Sequence, residues 1–309
     1  MNISVVIPNY NGKHLLEKNL PKVMSACSSY KEGFVEFIVA DDASVDGSVE
    51  FLEAYKKNKK IHVIVNKKNK GFSGNVNSGV AVAKGDIIIL LNTDVIPRRD
   101  FLLPLLSHFT DTSVFAVGCM DESIEGKKTV LRGRGIGSWK KGFLIHGPGS
   151  LDRENTLWVS GGSGAFRKSI WGSLGGMQEL YSPFYWEDID ICYRAQKSGY
   201  KIIFEKKSIV LHEHEKGSIK KQFSSDAVSK TAYRNQFQFI WMNITDTDLL
   251  INHLFWLPYY VLSALLRKDS AFLSGFFNAC CRLGEIRRVR RVNKKLFVMT
   301  DKKVLSQFS

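Results

Sequence analysis

The strongest constraint on the fold is the alternation of short apolar segments with helical segments in residues 1–115. Four apolar runs have the length of a strand: Ile3–Ile7, Val35–Ala40, Ile61–Val65 and Asp86–Leu91. Strands that alternate with helices form βαβ units, whose strands run parallel. An all-apolar run such as IIILL suits a strand that is buried on both faces of a sheet. We therefore predict an α/β fold with a mostly parallel central sheet flanked by helices.

The rest of the chain changes character twice. Residues 116–160 are rich in glycine, and we predict irregular structure there apart from a strand at Val114–Gly118. Ordered α/β patterning returns over residues 161–215. We predict a first domain of residues 1–225 and a C-terminal helical extension of residues 226–309.

The C-terminal extension combines apolar and basic segments. Leu249–Leu266 contains 18 residues and no formally charged side chain, which is near the lower limit for crossing a bilayer. A shorter apolar stretch, Ala271–Cys281, precedes a basic run. An apolar helix beside a basic run offers both burial and attraction to anionic lipid. We predict that the extension lies on an anionic membrane surface; a spanning helix and a helix packed on the first domain are the alternatives.

Charge and cysteine content restrict the partners and the compartment. The net charge of +14 suits nucleic acid, an anionic membrane or phosphorylated ligands. Aromatic residues are not interleaved with the basic run as a nucleic-acid stacking platform requires, so we predict no nucleic-acid partner. The five cysteines form no CxxC motif, which favours a reducing cytosol. The N-terminal sequence lacks the features of a signal peptide, and we expect a cytoplasmic protein.

Acidic residues follow two of the predicted strands directly. Asp41 and Asp42 come after Val35–Ala40, and ligands of α/β sheets bind at this end of the strands. Either carboxylate could accept a hydrogen bond from the imide N–H of a base such as uracil. Acids before a helix also favour its positive end, which explains one of the two residues better than both.

A second polar segment, Asn92-Thr93-Asp94, follows the strand Asp86–Leu91. Asp94, helped by the amide oxygen of Asn92, could hold a hard divalent cation. Such a cation would neutralise a diphosphate. A polar turn before Pro97 is the alternative interpretation.

Three further segments contain candidate site residues. Lys70–Gly74 precedes a helical run, and glycines there would let backbone N–H groups approach an anion. Glu187 and Asp188 fall in the first turn of a predicted helix, where the helix dipole favours acids; one of them could also serve as a general base. His212-Glu213-His214 follows the predicted strand Ser208–Leu211, and either histidine could complete a metal site or contact phosphate.

The order of these segments resembles that of the family 2 glycosyltransferases with the GT-A fold, over about residues 1–240. The segments that carry the resemblance are IPNYNG, VADDASVDGS, KGFSGNVNSG, ILLNTDV, SGGSGAFRKS, GGMQELYSPFYWEDIDICYRAQKSGY and HEHEKGS. NTDV and EDIDICYRA are most similar to the bacterial branch that adds rhamnose-like or other sugars to surface polysaccharides. The resemblance implies inverting transfer from a UDP- or dTDP-sugar and a divalent metal, Mg²⁺ or Mn²⁺.

The resemblance also implies roles for single residues. Pro8 and Tyr10 match the first nucleotide-contacting loop, and Asp41 or Asp42 matches the base-binding acid. Asp94 matches the last acid of the D-x-D metal motif.

Asn92 stands where that motif has its first aspartate, so Asp94 is the stronger candidate for a metal ligand. Asp188 matches the catalytic base, with Glu187 next to it. His212 matches a late histidine of the family, with His214 as the alternative. We predict that the remaining nucleotide-sugar-binding residues are Gly71, Asn77, Asn92 and Thr93.

We therefore expect a glycosyltransferase that adds one sugar to a glycan or lipid-linked acceptor in surface polysaccharide synthesis, on the inner face of the cytoplasmic membrane. Inverting transfer needs a base and a charge sink but no enzyme nucleophile. Ser163 stands in GGSGA and not in the GxSxG motif of hydrolases. A nucleotide-sugar-binding protein without transfer activity and a sugar-phosphate nucleotidyltransferase are the alternatives.

Overall fold

A computed structural model describes residues 1–55, 58, 60–126, 128–212 and 223–308. In this part of the chain the strands are β1 (Ile3–Asn9), β2 (Val35–Asp41), β3 (Ile61–Val65), β4 (Ile87–Leu91), β5 (Val95–Pro97), β6 (Val114–Glu125), β7 (Lys128–Arg132), β8 (Gly135–Lys140), β9 (Phe143–Pro148), β10 (Ser163–Arg167) and β11 (Lys201–His212). The helices are α1 (Lys13–Cys27), α2 (Ser48–Glu53), α3 (Gly71–Val82), α4 (Leu102–Ser107), α5 (Lys168–Ser173), α6 (Glu187–Lys197), α7 (Ser225–Asn243), α8 (Thr247–Arg267), α9 (Ser270–Cys281), α10 (Leu283–Leu296) and α11 (Asp301–Leu305).

The central sheet has the strand order β3-β2-β1-β4-β10-β6-β11-β5, and β7 pairs with β6. The first four strands are parallel to one another, as the βαβ pattern predicts. The prediction of a mostly parallel sheet is confirmed only in part, because the sheet is mixed: β10 runs antiparallel to both β4 and β6, and β5 runs antiparallel to β11. Apolar patterning identifies a strand but not its direction, so the sequence did not reveal this mixed half of the sheet.

Residues 116–148 are largely ordered, contrary to the prediction, and irregular structure is confined to residues 149–160. The ordered part holds most of the long strand β6, the strand β7 and a separate hairpin of β8 and β9. Lys141 and Gly142 join β8 to β9 with φ values of 46° and 84°. Two residues with positive φ are typical of a type I′ hairpin turn, whose twist matches that of the strands. The glycines of this region therefore mark a turn and close packing between ordered strands.

The C-terminal helices share a hydrophobic core with the residues around α6. Buried Phe237 and Phe239 of α7 pack in one cluster with Phe143, Tyr181 and Trp186. The helical character of the extension is thus confirmed, and its helices do not stand apart from the rest of the protein. The division of the chain at residues 225 and 226 stays a prediction.

The last helix is fastened to α6 by a buried ion pair. Lys197 Nζ lies 2.7 Å from Asp301 Oδ1, and neither side chain is exposed. Asp301 also accepts hydrogen bonds from the Tyr193 hydroxyl (2.7 Å) and from the backbone N–H of Thr245 (2.6 Å). A buried charge is tolerated only when it is paired and hydrogen-bonded. This cluster therefore fixes the end of the described chain against the helix that begins with Glu187.

Candidate active site

A cavity of about 500 Å³ opens at the carboxyl ends of β1, β2 and β4. This is the edge at which α/β sheets bind ligands. The predicted site residues that line the cavity are Pro8, Tyr10, Asp42, Gly71, Asn92, Thr93, Asp94, Glu187, Asp188 and His212. Asp41 and Asn77, also predicted, are not among its described lining residues. Segments far apart in the chain thus meet at one site.

The two adjacent acids at the end of β2 have different hydrogen-bond partners. Asp42 lines the cavity and accepts hydrogen bonds from the Asn66 side chain (3.0 Å) and from the backbone N–H groups of Lys70 (2.9 Å) and Gly71 (3.0 Å). Burial raises the pKa of Asp42, although these bonds favour its charged form. Asp41 accepts instead from Asn9 Nδ2 at 2.7 Å and from the Ser44 N–H at 2.9 Å. Asp42 is therefore the acid of the pair that a ligand can approach.

Both the backbone angle and the close packing at position 71 require a glycine. Its φ is +74°, and a Cβ at this position would clash with the Ser182 hydroxyl. Its N–H is directed to Asp42 Oδ2, so in this structure the predicted anion-binding group serves to orient a carboxylate. Close packing of backbone against backbone is a common reason for glycine at such a place.

Asn77 holds a loop in place. Its amide Nδ2 donates to the Met177 carbonyl at 2.8 Å, and its Oδ1 accepts from the Met177 N–H at 3.1 Å. These two bonds join α3 to the segment between α5 and α6. The assignment of Asn77, like that of Asp41, to direct nucleotide contact stays a prediction.

Asp94 and His212 meet at the cavity. His212 Nε2 lies 3.4 Å from Asp94 Oδ1, and His212 Nδ1 lies 2.8 Å from Asp121 Oδ2. Burial lowers the pKa of His212, but the bonds to Asp121 and Asp94 outweigh it and raise the pKa to about 9. Asp121 was not predicted, because it lies in the part of β6 that the sequence indicated as irregular. His214, the alternative to His212, lies outside the described residues.

These side chains fit a divalent metal of the kind that binds a diphosphate. Asp94 would provide a carboxylate oxygen and His212 its Nε2, while Asp121 orients the imidazole from the other ring nitrogen, as carboxylates do behind metal-bound histidines. In the described residues no cluster of three or more His, Cys, Asp or Glu side chains forms a complete cage. Mg²⁺ is typically held by one or two carboxylates together with substrate phosphates; Asp94 would provide such a carboxylate, which also suits Mn²⁺.

Glu187 and Asp188 begin α6 and line the same cavity. Burial raises the pKa of both carboxyl groups, and the charge of Asp188 adds to the effect on Glu187. Glu187 Oε2 is buried and has no hydrogen-bond partner among the described residues. Asp188 is only partly buried and accepts from the Ile189 N–H at 2.8 Å. Carboxyl groups with raised pKa values in a cleft are typical of general bases.

Aromatic side chains form a wall that the sequence did not reveal as part of the site. Phe184, Tyr185 and Phe223 line the cavity next to Glu187, and the rings of Phe184 and Phe223 are 4.9 Å apart. Tyr185 is 42% exposed. The only local signal for Phe184 and Tyr185 was their position shortly before the acidic pair, and Phe223 had no such signal.

The sheet and the ligand edge of its parallel strands define the GT-A fold. The structure is similar to the crystal structure of GalNAc-T7 with UDP, GalNAc and Mn²⁺, with a TM-score of 0.74 at 18% identity over 99% of this chain and 56% of the other. This likeness shows the fold. The chain belongs to glycosyl transferase family 2, whose model matches residues 4–173. The predicted family and the predicted GT-A fold are therefore confirmed.

Two relatives show how much of a longer protein this chain resembles. It is 28% identical over 216 residues to the pre-mycofactocin glycosyltransferase of Mycobacterium tuberculosis, covering 69% of this chain and 43% of the relative. It is 36% identical over 96 residues to the undecaprenyl-phosphate 4-deoxy-4-formamido-L-arabinose transferase of Aeromonas hydrophila, covering 30% of this chain and 29% of the relative. The chain thus spans less than half of the length of either relative.

Proposed function

We propose that the protein is an inverting glycosyltransferase that moves a single sugar from a UDP- or dTDP-sugar to a glycan or lipid-linked acceptor. The observation that carries the proposal is the meeting of three groups in one cavity: Asp42, the pair Asp94 and His212, and the acids Glu187 and Asp188. We place it in cell-surface polysaccharide synthesis, in the rhamnosyltransferase-like branch that the NTDV and EDIDICYRA segments resemble.

The proposed reaction needs one base and no covalent enzyme intermediate. The acceptor hydroxyl oxygen attacks the anomeric carbon of the donor while the bond from that carbon to the diphosphate oxygen breaks. The bonding electrons leave with the nucleoside diphosphate, and Asp188 takes the proton of the hydroxyl. Attack opposite the leaving group inverts the anomeric carbon.

The other side of the cavity is proposed to bind the donor. Pro8, Tyr10 and Asp42 would contact the nucleotide, with the Asp42 carboxylate accepting from the imide N–H of the base. Asn92 and Thr93 would lie beside the sugar and diphosphate. A divalent cation held by Asp94 and His212, Mg²⁺ or Mn²⁺, would supply neutralisation of the diphosphate charge.

The function is tested with a panel of nucleotide sugars, with an inner-membrane extract as the source of acceptor. We expect release of nucleoside diphosphate with at least one UDP- or dTDP-sugar, and incorporation of that sugar into the extract. Donor binding in calorimetry without incorporation from any donor would instead favour a nucleotide-sugar-binding protein. Release of pyrophosphate from a nucleoside triphosphate and a sugar phosphate would favour a nucleotidyltransferase.

An exposed apolar stripe on α8 supports a location at the membrane. Among the described residues, α8 is the one helix long and apolar enough to cross a bilayer by length and composition. Few of its side chains are buried in the protein: Leu249, His253 and Ala264. The exposed apolar residues, each between 54% and 77% exposed, are Ile251, Leu254, Phe255, Tyr259, Leu262, Leu265 and Leu266.

We propose that this stripe lies in the headgroup region of the inner face of the cytoplasmic membrane. The spacing of its residues by three and four places them along one side of the helix. The exposed basic residues of α10, which would attract anionic lipid, are Arg287, Arg288, Arg291, Lys294 and Lys295. A lipid-linked acceptor would give this attachment its purpose, because enzyme and acceptor would share one surface.

Replacing Phe255 and Leu262 by serine should release the protein from anionic vesicles. Removing each large apolar side chain from the lipid weakens binding by about tenfold. Co-sedimentation with phosphatidylglycerol vesicles measures the change. The matched control is Leu103→Ser, because Leu103 of α4 is 61% exposed and lies outside the stripe. Equal sedimentation of the double variant and the control would contradict the membrane proposal.

A further inference from the structure

We propose that Asn235 of α7, supported by Arg234, is a positioning residue for the cavity wall that leads into Glu187 and Asp188; this rests on the transferase function proposed above. The Asn235 side chain is fully buried. Its Nδ2 lies 2.8 Å from the Tyr181 carbonyl, 2.9 Å from that of Phe184 and 2.9 Å from that of Tyr185. The two N–H bonds of this amide are thus shared among three carbonyls of the segment that precedes the acidic pair.

Arg234 fixes the orientation of that amide. Arg234 Nε donates to Asn235 Oδ1 at 2.9 Å, and its Nη2 donates to the Ser182 carbonyl at 2.5 Å. With Oδ1 occupied by the guanidinium, the NH₂ group of Asn235 must face the segment 181–185. The two neighbouring side chains therefore act together on the same stretch of backbone.

The held segment needs external support. Tyr185 and Trp186 have φ values of 72° and 78°, which are unfavourable for bulky side chains and persist only where surrounding contacts impose them. Both residues directly precede Glu187, so their backbone angles set the direction in which α6 starts. Loss of the Asn235 amide would allow them to relax and would move the acidic pair.

The same segment is also hydrogen-bonded to the residues at the start of α3. The Phe72 N–H donates to the Pro183 carbonyl at 3.0 Å, and the Ser182 hydroxyl donates to the Lys70 carbonyl at 3.2 Å. The wall therefore lies between α3 and α7. Asp42 keeps its own bonds to Asn66, Lys70 and Gly71, none of which involves Asn235.

This arrangement makes the extension part of the active site. α7 belongs to the segment that sequence patterning assigned to the membrane-associating extension, yet it determines the path of the backbone beside the proposed base. A variant at Asn235 should therefore impair the chemical step and leave nucleotide binding intact. A merely structural role would not separate these two properties.

The test compares Asn235→Leu with the matched variant Gln236→Leu. Gln236 is the next residue of α7, and its Nε2 donates at 3.3 Å to the Leu144 carbonyl, outside the segment 181–185. We expect Asn235→Leu to lower kcat by about 10²-fold, as small displacements of reacting groups do. The Kd for the nucleoside diphosphate of the active donor, UDP or dTDP, should stay within about twofold of the wild-type value, because Asn235 makes no bond to the proposed nucleotide contacts. Gln236→Leu should resemble the wild type in both.

Amide hydrogen exchange of residues 179–188 gives a readout that does not depend on activity. It should be faster in Asn235→Leu and unchanged in Gln236→Leu. If Asn235→Leu does not fold, Arg234→Met, which keeps an apolar stem, should show a smaller loss of kcat with the same separation from nucleotide binding. An active wild type with equal kcat values for the position 234, 235 and 236 variants would overturn the inference. A wild type that transfers no sugar would overturn the proposed function instead.

Discussion

Replacing Asp188 by asparagine should lower the rate of sugar transfer by about 10²–10⁴-fold, the range that general base catalysis contributes. The amide has almost the same shape as the carboxylate but cannot take a proton from the acceptor hydroxyl. Because Asp188 is not among the proposed nucleotide contacts, the affinity for the donor nucleotide should change little. Initial rates with the active donor, together with calorimetric binding of its nucleoside diphosphate, measure both quantities.

The pH dependence of the wild type provides a second signature of the same base. Burial raises the pKa of Asp188 above that of an exposed aspartate, and a base works only when it is deprotonated. The rate should therefore rise with pH and be lost as pH falls through this raised pKa. The acidic limb should disappear from the residual activity of Asp188→Asn.

Two further variants belong to this experiment: Glu187→Gln tests the alternative base, and Glu179→Gln is the control. Glu187 is the alternative base, since one of its oxygens is buried without a hydrogen-bond partner among the described residues. Glu179 is an exposed acid of the same region that does not line the cavity, so its variant should keep wild-type transfer. Full transfer by Asp188→Asn with loss in Glu187→Gln would assign the base to Glu187.

The parallel half of the fold could be predicted because its strands are short, mostly apolar runs. β1 and β4 are buried along their whole length, and the edge strand β3 is half-buried. The predicted run Ile61–Val65 has the bounds of β3, and the run ending at Leu91 has those of β4 within one residue. The site followed from the same argument, because the residues after such strands must lie at one edge of the sheet. Asp42 and Asp94 were found in this way.

The remaining parts of the site depend on contacts between distant segments. Successive side chains of an extended chain point to opposite sides, so the sequence could not decide whether Asp41 or Asp42 faces the ligand. Asp121 is joined to His212 across 91 positions, and Asn235 to Tyr181 across 54. No local pattern marks such pairs. The hairpin of β8 and β9 was missed for a different reason, since its turn glycine was interpreted as a sign of irregular structure.

Replacing Asp94 by alanine should lower the rate of metal-dependent transfer by about 10²–10³-fold, because the charge on the leaving diphosphate is no longer stabilised. EDTA should inactivate the wild type, and Mg²⁺ or Mn²⁺ should restore it. The same addition should not restore Asp94→Ala. Titration of activity against metal concentration, with the donor nucleotide saturating, measures the effect.

Asp121→Asn should cause a smaller loss of metal-dependent transfer than Asp94→Ala. Asp121 bonds Nδ1 of His212 and so orients the imidazole, but it is not itself a proposed metal ligand. Loss of such an orienting carboxylate weakens metal binding by about 10–100-fold, so this variant should recover at higher metal concentration. Glu122→Gln is the matched control: it is the next residue of β6, and its carboxylate pairs with Arg98 at 2.7 Å instead. Wild-type transfer that is unaffected by EDTA, and retained in Asp94→Ala, would mean that basic side chains and backbone N–H groups neutralise the diphosphate. In that case the contact of His212 with Asp94 would be an ion pair that shapes the cavity.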